Sequence, residues 1–182
     1  MAKTYTAVPT VTAGDVYTAS AYNTYTSTNV SNLIVPPMCK LVAATTQSVA
    51  NSTDTTLTLG TSEIDTDSMG TTGAAAKITI NTAGVYMVTY SATMVASAGG
   101  TIRFATVAKN GTGSPNAATG FFWASAPFTA GYSASWRGGG LLNLAVNDYL
   151  QLVVIQDSGG ALNVGNLSNH TFLSAVWVGR TS

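Results

Sequence analysis

From Met38 onward, apolar residues return at every second position. A period of two fits a pleated strand whose side chains alternate between two faces, and it does not fit a helix. The clearest run is 85–96, where Tyr86, Val88, Tyr90, Ala92, Met94 and Ala96 share one face and Thr89, Ser91 and Thr93 lie on the other. Related runs predict strands over 39–43, 55–59, 76–80, 101–109, 141–146, 149–156 and 171–178, divided by Gly, Asn, Asp and Ser clusters. Asn110-Gly111 marks a tight turn after one of them. The pattern predicts an all-β chain folded as a β-sandwich. At 182 residues it can bury one core without disulfides or metals. No repeat of fixed period is present, which argues against a propeller or solenoid.

Two predicted strands depart from simple alternation. Residues 149–156 read Tyr-Leu-Gln-Leu-Val-Val-Ile-Gln, and 171–178 read Thr-Phe-Leu-Ser-Ala-Val-Trp-Val, so both are apolar on two faces. A sandwich strand has one core face, and the second needs its own cover. That cover is another subunit, the protein's own loops, or its N-terminal segment. Tyr149, Val153, Ile155, Leu173 and Trp177 are the candidate contacts if a subunit supplies it.

Charge bears on the same question. Only 8% of residues are charged and the formal net charge is zero, against roughly 25% charged in an average globular chain. Either part of the surface is covered by other subunits, or Thr, Ser and Asn provide its polarity. With no Lys/Arg cluster, nucleic-acid binding has no electrostatic basis. No run of 18 apolar residues exists to span a membrane, and the N-terminus lacks a signal-peptide core. The chain is expected to be soluble and not exported.

Residues able to do chemistry are scarce. His170 is the sole histidine, so a two-histidine metal site is excluded, and no Gly-x-Ser-x-Gly elbow supports a catalytic triad. Cys39, the only cysteine, cannot form an intrachain disulfide and reads as a buried, inert thiol. Asp54, Glu63, Asp65 and Asp67 crowd one stretch without the spacing of a calcium loop and read as a solvated loop. No catalytic residue, metal or cofactor is expected, and the chain is read as a non-enzyme. Phe121, Trp123, Tyr132 and Trp136, with Phe122 and Phe128 among them, lie between glycines and form a candidate ligand loop able to stack on a sugar ring. Packing within the domain or between subunits is the other reading of these aromatics.

Residues 1–37 differ from the rest: Thr, Tyr and Asn dominate, and the stretch closes on Pro36-Pro37. Thr18 is placed to cap a helix over 19–33, but Thr, Ser and Asn are poor helix formers, so such a helix depends on docking. Tyr22, Val30, Leu33 and Ile34 are its candidate attachment contacts. The expected organisation is an arm over 1–37 and a sandwich over 38–182.

The order of motifs after Ile78 resembles the jelly-roll superfamily of tumour necrosis factor and the globular heads of complement's first component. Ala83-Gly84-Val85-Tyr86 matches a Gly-x-Tyr that opens a long central strand, and Asn110-Gly111 falls at a hairpin position. Leu142 to Leu152 is similar to the segment L-x-L-x-x-G-D-x-L-x-L, with Asn147 replacing the usual Gly. In the last strand, 172–178, Ser174-Ala175 stands for the usual Ser-Gly. The resemblance implies a jelly roll that assembles as a homotrimer. A second resemblance lies in the arm, where Ala13 to Asn23 followed by Pro36-Pro37 is similar to the start of tailed-phage virion proteins. It implies a decoration, fibre or tail-associated protein of the virion, docked on capsid or tail proteins by its arm, or a receptor-binding module that recognises a host surface glycan.

Overall fold

The computed structural model describes residues 3, 6–10, 12–114, 120–125, 132–165 and 170–181. Among the described residues helix is confined to the arm. Thr18 caps α1 (Ala19–Tyr22) by accepting from the Ala21 amide at 3.1 Å. A π-helical stretch, Asn23–Ser27, then leads into α2 (Thr28–Ile34). Not one residue of these three segments is buried. The chain turns at Pro36-Pro37 and enters thirteen strands: β1 (Met38–Val42), β2 (Gln47–Val49), β3 (Thr55–Thr56), β4 (Thr61–Asp65), β5 (Gly70–Thr71), β6 (Lys77–Thr79), β7 (Gly84–Met94), β8 (Arg103–Lys109), β9 (Phe121–Ser125), β10 (Ala134–Leu144), β11 (Tyr149–Gln156), β12 (Leu162–Val164) and β13 (Phe172–Gly179).

These strands form an all-β jelly-roll sandwich. One sheet runs β2-β12-β7-β13-β1-β4, with β10 also paired to β7; the other runs β5-β6-β11-β8-β9, with β3 paired to β11. Between them lie Leu41, Tyr86, Val88, Tyr90, Met94, Trp136 and Leu173 of the first sheet, against Ile78, Val107, Leu150, Leu152 and Val154 of the second. The period-two face of β7 is therefore the core face. Ser91, expected on the polar side, is buried as well, because its hydroxyl donates to the His170 carbonyl at 2.8 Å. Ala96 falls beyond the end of β7 and is exposed.

Local chemistry explains the motifs at the sandwich ends. Gly84 has φ +155°, and a Cβ there would overlap the Trp177 indole nitrogen and stand 2.5 Å from the Gly179 carbonyl oxygen, so no larger residue fits. Two residues on, Tyr86 donates its hydroxyl to the Thr82 carbonyl at 2.6 Å, which ties the start of β7 to the preceding turn. Asn110 and Gly111 have φ +54° and +74°, as a two-residue turn with both central residues left-handed requires. Asn147, which stands where the family pattern has Gly, has φ +71°; asparagine is the residue other than glycine that best tolerates this region.

The length of β10 was not expected. Gly138-Gly139-Gly140 reads as a loop, yet the strand passes through all three. A Cβ on Gly138 would stand 2.8 Å from the Tyr90 ring, and one on Gly140 would stand 2.6 Å from the Phe122 ring. Side chains of neighbouring strands occupy that space, and this packing draws a glycine run into the sheet.

Candidate self-association face and N-terminal arm

The outer faces of the two sheets differ in what covers them. On the second sheet, Val153 and Ile155 point away from the core, opposite Thr106 and Phe104 of β8, yet both are buried. The chain itself covers them. After the Asn110-Gly111 turn, the backbone lies so close that a Cβ on Gly113 would stand 2.8 Å from Ala108 Cα, and one on Gly120 would stand 2.5 Å from Thr106 Oγ1. Ser114 bonds Asp54, and Trp123 packs on Phe104 with ring centroids 4.7 Å apart. Of the alternatives for the doubly apolar strand β11, own-chain cover is the one realised. Tyr149, at the start of this strand, is half-buried under Lys77, whose ammonium lies 5.0 Å from the ring centroid.

The last strand needs a correction of phase. Leu173 and Trp177 face the core and are buried, and the Trp177 indole donates to the Ala83 carbonyl at 3.3 Å. Neither is available to another subunit. The residues of β13 that do look outward are Val176 and Val178, at 37% and 57% exposure. Both faces of this strand are apolar, so sequence alternation alone did not say which one pointed in.

Val176 belongs to a cross-strand row on the outer face of the first sheet. Met87 of β7 pairs with Leu141 of β10 on one side and with Val176 on the other, and Val176 pairs with Met38 of β1. Leu141 is 57% and Met87 41% exposed. Charge on this face is sparse: Lys40 is engaged by Glu63 at 2.7 Å and lies over the Phe172 ring, while Arg137 sits two rows away across from Ser91. An aliphatic row exposed on three strands and continued onto a fourth by the half-buried Met38 has the character of an interaction surface.

The arm leaves the sandwich beside this row, at Met38. Asn29 ties α2 to the preceding chain, accepting from the Thr6 amide at 3.0 Å and donating to the Thr6 carbonyl at 2.7 Å; Tyr17 meets Thr26 hydroxyl to hydroxyl at 3.0 Å. Tyr22, a candidate attachment contact, also meets the Tyr17 ring edge-on with centroids 6.5 Å apart, though it stays 52% exposed; Val30, Leu33 and Ile34 remain exposed as well, Ile34 at 74%. From Val16 to Cys39 the chain carries no charged side chain. A second tie holds Lys3, whose amide donates to Thr82 Oγ1 at 3.0 Å. Thr82 also bonds Asp67 Oδ2 at 2.9 Å. Asp67 is fully buried, and burial raises its pKa above the ordinary carboxylate value, against the lowering effects of the Thr82 hydroxyl and the Lys3 charge.

The remaining candidates scatter. Trp136 of the supposed ligand loop is a core residue at 2% exposure; Trp123 packs on Phe104; Phe121 and Tyr132 are exposed; Phe128 lies outside the described residues. The four aromatics do not form one platform, because Trp136 lies on the core face of β10 while Phe121 and Trp123, two apart on β9, and Tyr132, ahead of β10, are exposed. The four acids are also separately engaged: Asp54 with Ser114, Glu63 with Lys40, Asp65 with the Met69 and Gly70 amides at 2.8 and 2.9 Å, and Asp67 with Thr82. Among the described residues no group of three His, Cys, Asp or Glu side chains is placed to hold a metal ion. Cys39 is buried, and burial, with a further push from Asp65, raises its thiol to about 12.

Neither a family model nor a curated protein matches the sequence. Solved structures do match in fold. The chain superposes on an Eiger TNF from S. frugiperda with a TM-score of 0.61 at 13% identity, over 80% of this chain and 96% of that one. Murine APRIL at pH 5.0 matches with a TM-score of 0.58 at 13% identity, over 78% and 98%. The globular domain of zebrafish complement 1qA protein matches with a TM-score of 0.51 at 15% identity, over 80% and 99%. At these identities the likeness is one of architecture: the chain has the jelly roll shared by tumour necrosis factors and complement globular heads.

Proposed function

We propose that this chain is a non-catalytic structural subunit that assembles as a homotrimer through the outer face of its first sheet and is tethered to a phage particle by its N-terminal arm. The observation that carries self-association is the row of Leu141, Met87 and Val176, aliphatic and exposed within the subunit, continued by the half-buried Met38. The low charge of the whole chain and the trimeric habit implied by the jelly-roll resemblance support it. Tethering rests on the arm, whose helical residues are all unburied and uncharged and which presents Val30, Leu33 and Ile34 outward. A segment of this kind gains order and apolar cover by docking on a partner. The viral setting rests on the resemblance of 13–23 to virion proteins, and imaging of intact particles with antibody against this chain tests it. Sedimentation at micromolar concentration tests assembly, and a mass near three times the 18.6 kDa chain is expected.

A further inference from the structure

Beyond the aliphatic row, toward the other end of β7 on the same outer face, another feature invites a ligand. A groove of about 670 Å³ opens where β7, β10 and β12 meet the turn after β1, and its lining includes Thr46, Thr93, Ser133, Ser135, Asn163 and His170. We propose that this groove binds a neutral saccharide.

The size falls within the usual range of small-ligand sites. Among the described residues the lining contains no Asp, Glu, Lys or Arg, so none of them selects a charged ligand. Its frame is fixed from behind: the Val95 amide donates to the Asn163 carbonyl at 2.9 Å, and the Gly165 amide to the Thr93 carbonyl at 2.8 Å. The Thr93 hydroxyl is held between Ser135 Oγ at 2.9 Å and the His170 carbonyl at 3.3 Å. By contrast, the side chains of Thr46, Ser133, Asn163 and His170 make no hydrogen bond to other described residues. Hydroxyls and the amide can both donate and accept, and the imidazole adds a further hydrogen-bonding group. A pyranose offers the matching set, hydroxyls that each donate and accept, at close spacing and without charge. Val95, 40% exposed and part of the lining, supplies apolar surface for the C–H face of the ring. An apolar ligand would leave these polar groups unpaired, and the described lining itself holds no cation for an anion, the nearest on this face being Arg137, one row away.

The groove shares the outer face of the first sheet with the aliphatic row, toward the other end of β7, so glycoside binding and assembly are read by separate measurements. It is tested on the full chain by saturation-transfer NMR with the methyl glycosides of glucose, galactose, mannose and N-acetylglucosamine, and with sialic acid as the charged counterpart. Binding of at least one neutral glycoside at millimolar concentration is expected. Asn163→Ala and Ser135→Ala, both at exposed positions, should each weaken it about five-fold, the loss of one net hydrogen bond. Asn143→Ala, on the same strand as Ser135 but outside the groove, should leave it unchanged. Silence from all four glycosides, a preference for sialic acid, or unchanged affinity in both groove variants would overturn the assignment.

Discussion

Met87 is the place to break the assembly without breaking the fold. It sits at the centre of the aliphatic row, with Leu141 and Val176 as its cross-strand partners. In the isolated subunit its side chain is 41% exposed, so the carboxylate of Met87→Glu reaches water there. The stability of the subunit should then change by no more than about 1 kcal/mol. In a trimer built on this face the same carboxylate is enclosed. Covering the remaining exposed surface of Leu141, Met87 and Val176 is worth about 1 kcal/mol apiece at ~25 cal/mol per Å². Glu at the centre forfeits part of that and adds a desolvation cost of several kcal/mol for an unpaired ion. A loss of about 4 kcal/mol corresponds to roughly a thousandfold weaker association. Sedimentation velocity at micromolar concentration, with thermal melting alongside, reads both effects. The wild-type chain should run as a trimer, and Met87→Glu as a monomer that melts at nearly the same temperature. Val146→Glu, at a comparably exposed site in the turn after β10, should remain trimeric. A monomeric wild type, or a Met87→Glu variant that still assembles, would refute the assignment of this face.

Deleting residues 1–35 keeps Pro37, whose carbonyl accepts from the Trp177 amide at 2.9 Å, and removes a helix with no buried residue, so the truncated sandwich should stay folded and trimeric while losing particle binding. A melting temperature lowered by more than about 10 °C would make the arm part of the fold instead. Trp136→Ala should cost about 3–5 kcal/mol in urea denaturation, because the indole fills the core; unchanged stability would return Trp136 to the ligand-loop reading. Asp67 has its pKa raised in the fold, so between its unfolded value of 3.8 and the higher folded value the native state holds the extra proton and stability falls as pH rises. Asp67→Asn should therefore raise the melting temperature at pH 7, with the gain fading as pH drops below 3.8; a lowered melting temperature at pH 7 would show that the Lys3 and Thr82 contacts outweigh burial.

Much of the architecture was legible in the residues because a strand writes its two faces into alternate positions. β7, β8, β11 and β13 fall close to where the period of two puts them, and Thr18 caps the helix as its side chain allows. The motifs around Gly84 and Asn147 were legible for a related reason: each sits at a backbone angle that few residue types accept. Where the pattern was short or ambiguous, the chain alone was silent. β2, β4, β5, β9 and β12 are short and sit in no alternating run of the kind that marked 39–43, 55–59 and 76–80 around the equally short β1, β3 and β6, and most of β10 was hidden by glycines whose strand conformation depends on Tyr90 and Phe122 filling the space above them. The site was harder to read than the fold. Val153 and Ile155 are apolar and outward-facing as expected, but whether a subunit or a loop covers them depends on the path of the chain after Gly111, which no local rule contains. In β13 both faces are apolar, so the choice between Leu173 and Val176 as the outward residue awaited the sheet into which the strand was fitted. The sequence alone determined that an all-β chain would form with too little charge to resemble an ordinary soluble surface. Only the tertiary structure decided which aliphatic residues remain uncovered, because exposure belongs to neighbours brought together from distant parts of the chain.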